Sequence, residues 1–393
     1  MDKKPAPPIK LTEKDLSRWR LVKDFQARLA RAAKRVPLRP TWSAPLRQLH
    51  YRDYLSLFLL GLFNPVICTL RGLCAASRLK RVQKEICTRP VSLGSFSEAQ
   101  SVLDPALLAE VFAQLAKDLP AAPGPARPAG RRWLIQDSSL FAALPRMHWA
   151  LWRRQGQPQT QVRLHLSLDV AQNAPARAVI TPGKTCERAT WRTHWQPGDS
   201  YVGDSYYGEH YQLFAEMDAA GIAFVVRLRD EAVITEEEEL PLTPADRTAK
   251  VIRSAWVRLG AKAGPKSIRL RVIWVQIDQH EVLRLVTNLK PEELSAGDVA
   301  QLYKQRWQVE LFFRWLKCTL GCQHWLAESP QGVAIELYLA LIAALLLQLY
   351  TGAAPNRRMM ELIQLHLLGV ASLDELMAGL AREQARAALR KKA

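Results

Sequence analysis

The sequence lacks the features of a secreted or disulfide-stapled protein. Its six cysteines are scattered over 393 residues, which is typical of a reducing cytoplasm rather than of a disulfide framework. Cys318, Cys322 and His324 lie close together, but a fourth ligand at zinc-finger spacing is missing. Ordinary helix packing is therefore the better interpretation of that cluster. The charged N-terminus is not followed by an apolar segment, so we expect no signal peptide.

Uninterrupted apolar segments of membrane-spanning length are also lacking. The apolar stretch from Tyr54 to Leu70 contains Asn64 and Pro65. The stretch from Ile335 to Tyr350 is interrupted by Glu336 and is short for the roughly 20 residues that a transmembrane helix needs. Both stretches are predicted to be buried helices, and no membrane partner is expected.

Acidic residues are scarce relative to basic ones. The chain has 37 Asp and Glu against 55 Lys and Arg, for a net charge of +18 and an isoelectric point near 9.9. Such a surface attracts polyanions, because neutralising phosphates releases their counterions. Nucleic acid is therefore the predicted partner, although ribosome-associated and membrane-surface proteins share this charge.

Composition divides the chain at a stretch rich in proline, glycine and alanine, Leu119 to Gly130, which is typical of a linker. Before it, a capping box at Thr12–Asp15 predicts a basic amphipathic helix to about Val36, which we expect to contact the DNA backbone. The predicted segments are a basic N-terminal arm (1–47), a helical DNA-binding domain (48–118), the linker (119–130), the first part of an α/β core (131–230), a β-rich insertion (231–290), the second part of the core (291–370) and a basic C-terminal helix (371–393).

Strand patterns follow the linker. Short apolar segments bounded by turn residues predict strands at 133–135, 162–170, 178–181, 201–203 and 222–228, with a helix at about 208–220. This order indicates a mixed α/β architecture. Two further strands, at 267–277 and 282–287, belong to the insertion.

The segment from Leu302 to Cys322 carries the most informative pattern. On one continuous helix at about 100° per residue, Tyr303, Arg306, Glu310 and Lys317 would share one narrow face. A solvated stripe of ion pairs is the alternative explanation. That stripe would have unequal numbers of charges, since one carboxylate would face several cations. A carboxylate that holds a divalent metal, flanked by groups that bind phosphate oxygens, explains the pattern better.

The spacing Tyr303-x2-Arg306-x3-Glu310-x6-Lys317 is identical to the Y-(2)-R-(3)-E-(6)-K signature, and residues 130–350 resemble the insertion-sequence-four family of DDE transposases. The resemblance implies a ribonuclease-H-like mixed sheet with helices, interrupted by a β-rich insertion, plus an all-α N-terminal domain. It implies that Glu310 lies on the final catalytic helix. Asp137 and Asp204, each expected at the end of an apolar strand, take the places of the family's two aspartates.

The same resemblance implies the chemistry and the partners. Three carboxylates would hold a pair of Mg²⁺ ions, with Mn²⁺ as a substitute, for two-metal phosphoryl transfer on DNA. The DNA would be the terminal inverted repeats of an insertion sequence and a double-stranded target, bound by a homodimer on the nucleoid in a bacterial cytoplasm. Tyr303, Arg306, Lys317 and Arg284 are the residues implied to bind phosphate.

The sequence departs from the family at two positions. Ser205 follows Asp204 where many members have arginine, and Leu283 stands where hairpin-forming relatives have tryptophan. Trp274, on the neighbouring strand, is predicted to pack in the core. Whether a DNA hairpin forms is therefore open. Two other functions also stay open: a ribonuclease-H-like nuclease without strand transfer, and a catalytically decayed DNA-binding protein.

Three other polar residues near the strands are predicted not to be metal ligands. Asp169 is expected to flank a turn, Asp199 to lie in a turn, and His165 to be half-buried in a strand.

Overall fold

The computed structural model describes residues 20–37, 47–67, 69–120, 128–154, 156–260, 269–322 and 324–390. The predicted capping box at residues 12–15 and most of the predicted linker lie outside these ranges. The helices are α1 (Arg20–Ala32), α2 (Tyr51–Phe63), α3 (Leu70–Ala76), α4 (Lys80–Glu85), α5 (Leu93–Val102), α6 (Ala106–Asp118), α7 (Glu187–Arg192), α8 (Tyr211–Ala219), α9 (Pro244–Thr248), α10 (Ala296–Lys304), α11 (Trp307–Cys318), α12 (Pro330–Thr351), α13 (Arg357–Leu367) and α14 (Leu373–Arg390). The strands are β1 (Arg132–Ala142), β2 (Leu151–Arg154), β3 (Gln157–Asp169), β4 (Ala174–Pro182), β5 (Asp199–Gly203), β6 (Ala223–Arg227), β7 (Ile234–Glu239), β8 (Val251–Leu259), β9 (Arg269–Gln276) and β10 (Val282–Thr287).

These strands form one mixed sheet. Its central five lie in the order β4-β3-β1-β5-β6, in which β3 is antiparallel to both β4 and β1. Strand β5 runs parallel to β1, and β6 runs parallel to β5. Three antiparallel strands followed by two parallel ones are the arrangement of a ribonuclease-H-like fold. The predicted fold class is confirmed.

The predicted β-rich segment continues this sheet. Strand β10 pairs antiparallel with β6, and β9, β8 and β7 follow in order beyond it. Strand β7 covers an acidic stretch that was not among the predicted strands. As the outermost strand it exposes one edge, where charged residues are common. Its Glu239 pairs with Arg253 at 2.5 Å and Glu238 pairs with Arg269, so these side chains are tied to the two next strands.

The long apolar helix α12 is the central helix of the protein. It packs against α6, α2 and α5 and against β4 of the sheet. It is long and apolar enough to cross a membrane, but 78% of its most apolar window is buried inside the protein. The prediction of a buried helix is confirmed, and the helix starts five residues earlier than expected, at Pro330. Its one carboxylate, Glu336, accepts the N–H groups of Leu326 and Ala327, and burial raises its pKa to about 8.

The helices before the sheet share this core. Buried residues of α1, α2, α5 and α6 belong to the same apolar cluster as α12 and one face of the sheet. The segment predicted as a separate helical DNA-binding domain therefore has no core of its own in the described structure, and its boundaries stay predictions.

The basic helix α1 is mostly occupied by internal ion pairs. Lys23 pairs with Glu85 at 2.5 Å, and Arg35 pairs with Glu110 at 3.0 Å. Arg28 is buried between Asp24 and Asp118. Charge density in a sequence does not show which charges are paired across helices, so the expectation that this segment contacts DNA stays a prediction.

The sheet separates two apolar cores. Ile135 of β1 and Val202 of β5 face the core that contains α11 and α12. Leu134 and Tyr201, one residue earlier on each strand, face the second core, which α7 and α8 cover. Because side chains alternate along a strand, residues two positions after Ile135 and Val202 also face α11.

Candidate active site

Asp137 and Asp204 come together on the face of the sheet that α11 covers. Ile135 pairs in parallel register with Val202, and each aspartate lies two residues further along its chain. Asp204 follows the end of β5, as predicted. Asp137, however, lies in the middle of β1 rather than at its end. The reason is that β1 continues to pair with β3 as far as Ala142, beyond the point where β5 has ended.

The two carboxylates are half-buried, and the charge of Asp204 raises the pKa of Asp137. Burial, then the charge of Asp204, then that of Glu187 raise the pKa of Asp137 to about 7. Burial also raises the pKa of Asp204, while the N–H of Tyr206, which donates to it at 3.0 Å, opposes the shift. Two such carboxylates in a medium of low dielectric constant repel each other unless a cation joins them. Their oxygen donors suit a hard divalent ion.

The predicted single helix from 302 to 322 is wrong. The structure has two helices, α10 and α11, which meet at Gln305 and Arg306. There the N–H of Arg306 bonds to the carbonyl of Tyr303 at 2.9 Å, an i to i−3 bond that winds the chain more tightly than an α-helix. Tyr303 thus lies on α10, whereas Glu310 and Lys317 lie two turns apart on α11.

Arg306, at this junction, is central to the site. Its guanidinium pairs with the Glu310 carboxylate at 2.6 Å and lies 5.9 Å from the centre of the Tyr303 ring. Its positive charge also lowers the pKa of both Asp137 and Asp204, although burial outweighs it. Arg306 therefore acts on all three predicted catalytic carboxylates.

Glu310 is held by Arg306 rather than by the aspartates. Its side chain is 33% exposed, so it is free enough to turn. Among the residues that the structure describes, no group of three or more Asp, Glu, His or Cys side chains is arranged to hold a metal ion. Two of the predicted ligands are thus adjacent, and the third has to leave its ion pair to join them.

Lys317 fixes α11 across β1. Its ammonium donates to the Ser139 hydroxyl at 2.7 Å and lies 5.0 Å from the centre of the Phe141 ring. Ser139 and Asp137 alternate onto the same face of β1. Burial lowers the pKa of Lys317. The lysine therefore places a cation on the face of β1 that carries Asp137.

A fourth acidic residue, Glu187, was missed. It opens the short helix α7, accepts the hydroxyl of Tyr207 at 2.6 Å and pairs with Arg163 at 3.0 Å. Arg163 in turn donates to Ser138 at 2.7 Å, next to Asp137. An acidic residue just before β5 was the available signal. The charge of Glu187 raises the pKa of both Asp137 and Asp204.

The residues at the predicted hairpin-related positions have structural contacts. Arg284 donates to the carbonyl groups of Arg229 and Ala232. Trp274 lies under the guanidinium of Arg253, 4.6 Å from the ring centre, and packs against the second core. Neither side chain is left free for DNA in this arrangement.

Of the three residues predicted not to be ligands, one has the predicted local structure and two differ from it. Asp169 caps a turn by accepting the N–H groups at 171 and 172, as predicted. Asp199 does not lie in a turn but opens β5, where it is buried and pairs with Arg177. His165 is fully buried, not half-buried. It bonds to Thr181 at 3.0 Å, and burial lowers its pKa to about 4.

A ribonuclease-H-like sheet with two half-buried aspartates, covered by a helix that carries a glutamate, fits the class of metal-dependent enzymes that cleave and transfer DNA strands. Residues 128–346 match the family model described as Transposase DDE domain. The match covers more than half of the chain and includes every residue of the candidate site. The chain belongs to the transposase DDE domain family.

Three relatives agree with this assignment. The protein y4zB of Sinorhizobium fredii, assigned as a transposase, is 28% identical over 304 residues, 76% of this chain and 81% of the relative. A Geobacillus stearothermophilus protein, assigned as the transposase of insertion sequence element IS5377, is 26% identical over 55% of each chain. A Synechocystis protein, assigned to insertion sequence element IS4SA, is 36% identical over 91 residues, 22% of this chain and 27% of the relative.

Among solved structures, the piggyBac transposase synaptic complex with hairpin DNA aligns with 98% of this chain and 80% of its own. The TM-score is 0.43 and the identity 13%, too low for residue-by-residue correspondence. Family membership makes this chain a DNA transposase, an enzyme that binds DNA and depends on a divalent metal.

Proposed function

We propose that this transposase binds the terminal inverted repeats of an insertion sequence, cuts there, and joins the freed 3′ ends to target DNA. Asp137, Asp204 and Glu310 are the proposed catalytic residues. The observation that carries the proposal is the placement of two half-buried, mutually repelling aspartates beneath a helix whose glutamate pairs with Arg306.

The proposed ion is Mg²⁺, with Mn²⁺ able to replace it, because the three ligands are carboxylates and the substrate supplies phosphate oxygens. When bound, it would stabilise negative charge on the attacking and leaving oxygens of an in-line phosphoryl transfer. The raised pKa of Asp137 supports this. Burial and the nearby like charges of Asp204 and Glu187 raise it, and a bound cation would relieve that repulsion.

Arg306 and Lys317 are the proposed phosphate-binding residues. When Glu310 turns toward the aspartates, the Arg306 guanidinium becomes available to a phosphate, for which its planar donors are suited. Tyr303 is buried beside Arg306, and we assign it to orienting the guanidinium. Arg284 is left out of this set because loop carbonyls hold its side chain.

Assembly and location follow from the same proposal. Two DNA ends have to be held together before they are joined, which requires a homodimer in the DNA complex. The proposed location is the bacterial nucleoid in the cytoplasm, where such DNA is found.

Replacing Glu310 with glutamine tests the function. The wild type is expected to cut and join duplex DNA that carries the element's ends when Mg²⁺ is present, and to do neither in EDTA. Glu310→Gln is expected to lose both reactions and to keep its affinity for DNA, because the amide is a poor metal ligand but removes little DNA-binding surface. Gel analysis of cleaved and joined products measures both steps.

The matched control is Glu361→Gln. Glu361 forms an Arg–Glu pair of the same i,i+4 spacing and the same 2.6 Å length with Arg357, outside the site, so this variant should cut and join normally. Hydrolysis by the wild type without joining would instead identify a nuclease. DNA binding without either reaction would identify a decayed protein.

A further inference from the structure

Helices α3 and α4 form a tight pair joined by three residues, Ser77 to Leu79. Hydrogen bonds of buried and half-buried groups hold the turn between the two helices. The fully buried Ser77 hydroxyl donates to the carbonyl of Cys74 at 2.7 Å and accepts the N–H of Val91 at 2.9 Å. The Gln83 amide donates to the Ser77 carbonyl at 3.1 Å. These hydrogen bonds fix the arrangement of the two helices. We call the surface of residues 70–89 the basic helix pair; it comprises α3, the turn, α4 and the segment that follows α4.

The basic helix pair is strongly and unevenly charged. Its six cations are all exposed to solvent, and its one acidic residue is Glu85. Glu85 pairs with Lys23 of α1 at 2.5 Å, so a cation that lies outside the basic helix pair neutralises its charge. The six cations are Arg71, Arg78, Lys80, Arg81, Lys84 and Arg89.

Five of these cations have no carboxylate partner within the part of the chain that the structure describes; Arg81 is not among the five. This differs from α1, whose cations are largely paired. Like charges held close together on a rigid surface repel each other, and that repulsion is relieved when a polyanion binds. The charge pattern indicates a binding surface for an extended anion.

We propose that the basic helix pair binds duplex DNA through the phosphate backbone, with α4 lying against the major groove. The proposal rests on the proposed function, and it assigns the surface that meets the DNA outside the catalytic site. Two helices joined by a three-residue turn are the framework of DNA-binding helical pairs. Val82 is the one buried residue of α4, so Lys80 and Lys84 both face outward.

The basic helix pair is connected rigidly to the active site. Helix α5 contacts α3, and its Gln100 donates to the carbonyl of Leu326 at 3.0 Å and accepts the Ser329 hydroxyl with its own carbonyl. Trp325, in the same segment after α11, donates to the carbonyl of Ala142 in β1 at 2.6 Å. DNA bound at the basic helix pair is thereby held in a defined position relative to the catalytic residues.

An anionic membrane is the other polyanion that such charge could meet. A helix that lies in a membrane surface presents a broad apolar face beside its cations. Here Leu79 is the one large apolar residue of 70–89 that is strongly exposed, at 58%. The surface therefore fits a phosphate backbone better than a bilayer.

The test compares two double variants of the full-length protein on a labelled duplex of mixed sequence. Each phosphate contact contributes about 0.9 to the slope of log affinity against log salt concentration. Lys80→Gln with Lys84→Gln should therefore lower the slope by about 2. Arg247→Gln with Lys290→Gln, which removes the same charge from exposed positions elsewhere, should change it much less.

Equal slopes for the two double variants would overturn the assignment of the surface. The transposase function would stand if Glu310→Gln still binds DNA but does not cut it. Loss of binding to anionic lipid vesicles, with duplex binding unchanged, would show that a membrane is the partner. A wild type that shows no salt-dependent duplex binding would contradict both the surface and the function.

Discussion

Asp137→Asn is expected to reduce strand cleavage by about a thousandfold or more and, in metal-free protein, to raise the melting temperature. The rate falls because several kcal/mol of charge stabilisation at the reacting phosphate depend on the bound metal. The stability rises because asparagine carries no charge to be repelled by Asp204 and Glu187, the two charges that raise the pKa of Asp137. A residue needed only for folding would show the opposite change in stability.

The pH dependence has a definite sign. The pKa of Asp137 rises from its ordinary 3.8 to about 7 in the folded protein, so the folded state holds a proton that the unfolded state has released. Its contribution to stability is complete below the ordinary value and is lost as pH rises toward 7. The metal-free wild type should therefore lose stability over this range, and Asp137→Asn should lose less.

Calorimetry in EDTA and in Mg²⁺ measures this behaviour. Mg²⁺ should raise the melting temperature of the wild type, because a ligand that binds the folded state stabilises it, and should have little effect on Asp137→Asn. Asp230→Asn is the matched control, since Asp230 is exposed and outside the site. An Asp137→Asn protein that still cleaves DNA, or that melts at a lower temperature than the wild type without metal, would contradict this role.

Gly208→Ala is expected to lower the melting temperature by several degrees and to abolish cleavage. A Cβ at this position would lie 2.1 Å from the carbonyl oxygen of Arg227 and 3.2 Å from the Cα of Leu228. Backbone atoms of β6 and the turn would have to separate, and such overpacking costs about 1–3 kcal/mol or more. The turn also carries Asp204, so its displacement would misplace a carboxylate.

Gly94→Ala is the control for this substitution. Gly94 lies in α5 with nothing within 4 Å of the position of a Cβ, and alanine is favoured over glycine in helices by up to about 1 kcal/mol. Its melting temperature should equal or exceed that of the wild type, with normal cleavage. A Gly208→Ala protein that melts and cleaves like the wild type would show that the turn can shift without cost.

The sequence was sufficient for much of the fold, and the assignment of Asp137, Asp204 and Glu310 as the catalytic carboxylates stays a prediction. Strands β5, β6 and β10 lie within two residues of their predicted positions, because buried strands appear as short apolar segments between turn residues. Strand β7 was missed because its acidic side chains hide that pattern. It is held by Arg253 and Arg269 from other strands, contacts that no local window of sequence contains.

The junction between α10 and α11 could not be predicted either. Every residue from Leu302 to Cys322 is compatible with one helix, and the break at Arg306 depends on how Tyr303 and α11 pack against different parts of the sheet. Glu187 was missed for a similar reason. Its partners Arg163 and Tyr207 are 24 and 20 residues away along the chain, so its place beside Asp137 arises only in the folded protein.

The central claim is that Asp137, Asp204 and Glu310 together hold the divalent metal, although Glu310 pairs with Arg306 in the structure. The most direct test is local cleavage of the polypeptide by hydroxyl radicals generated at bound Fe²⁺. The expected result is fragments that end near residues 137, 204 and 310. Excess Mg²⁺ should suppress all three, and Glu310→Gln should yield less of the fragment that ends near residue 310. Cleavage near 137 and 204 without any near 310, under conditions in which the protein joins DNA, would contradict the claim.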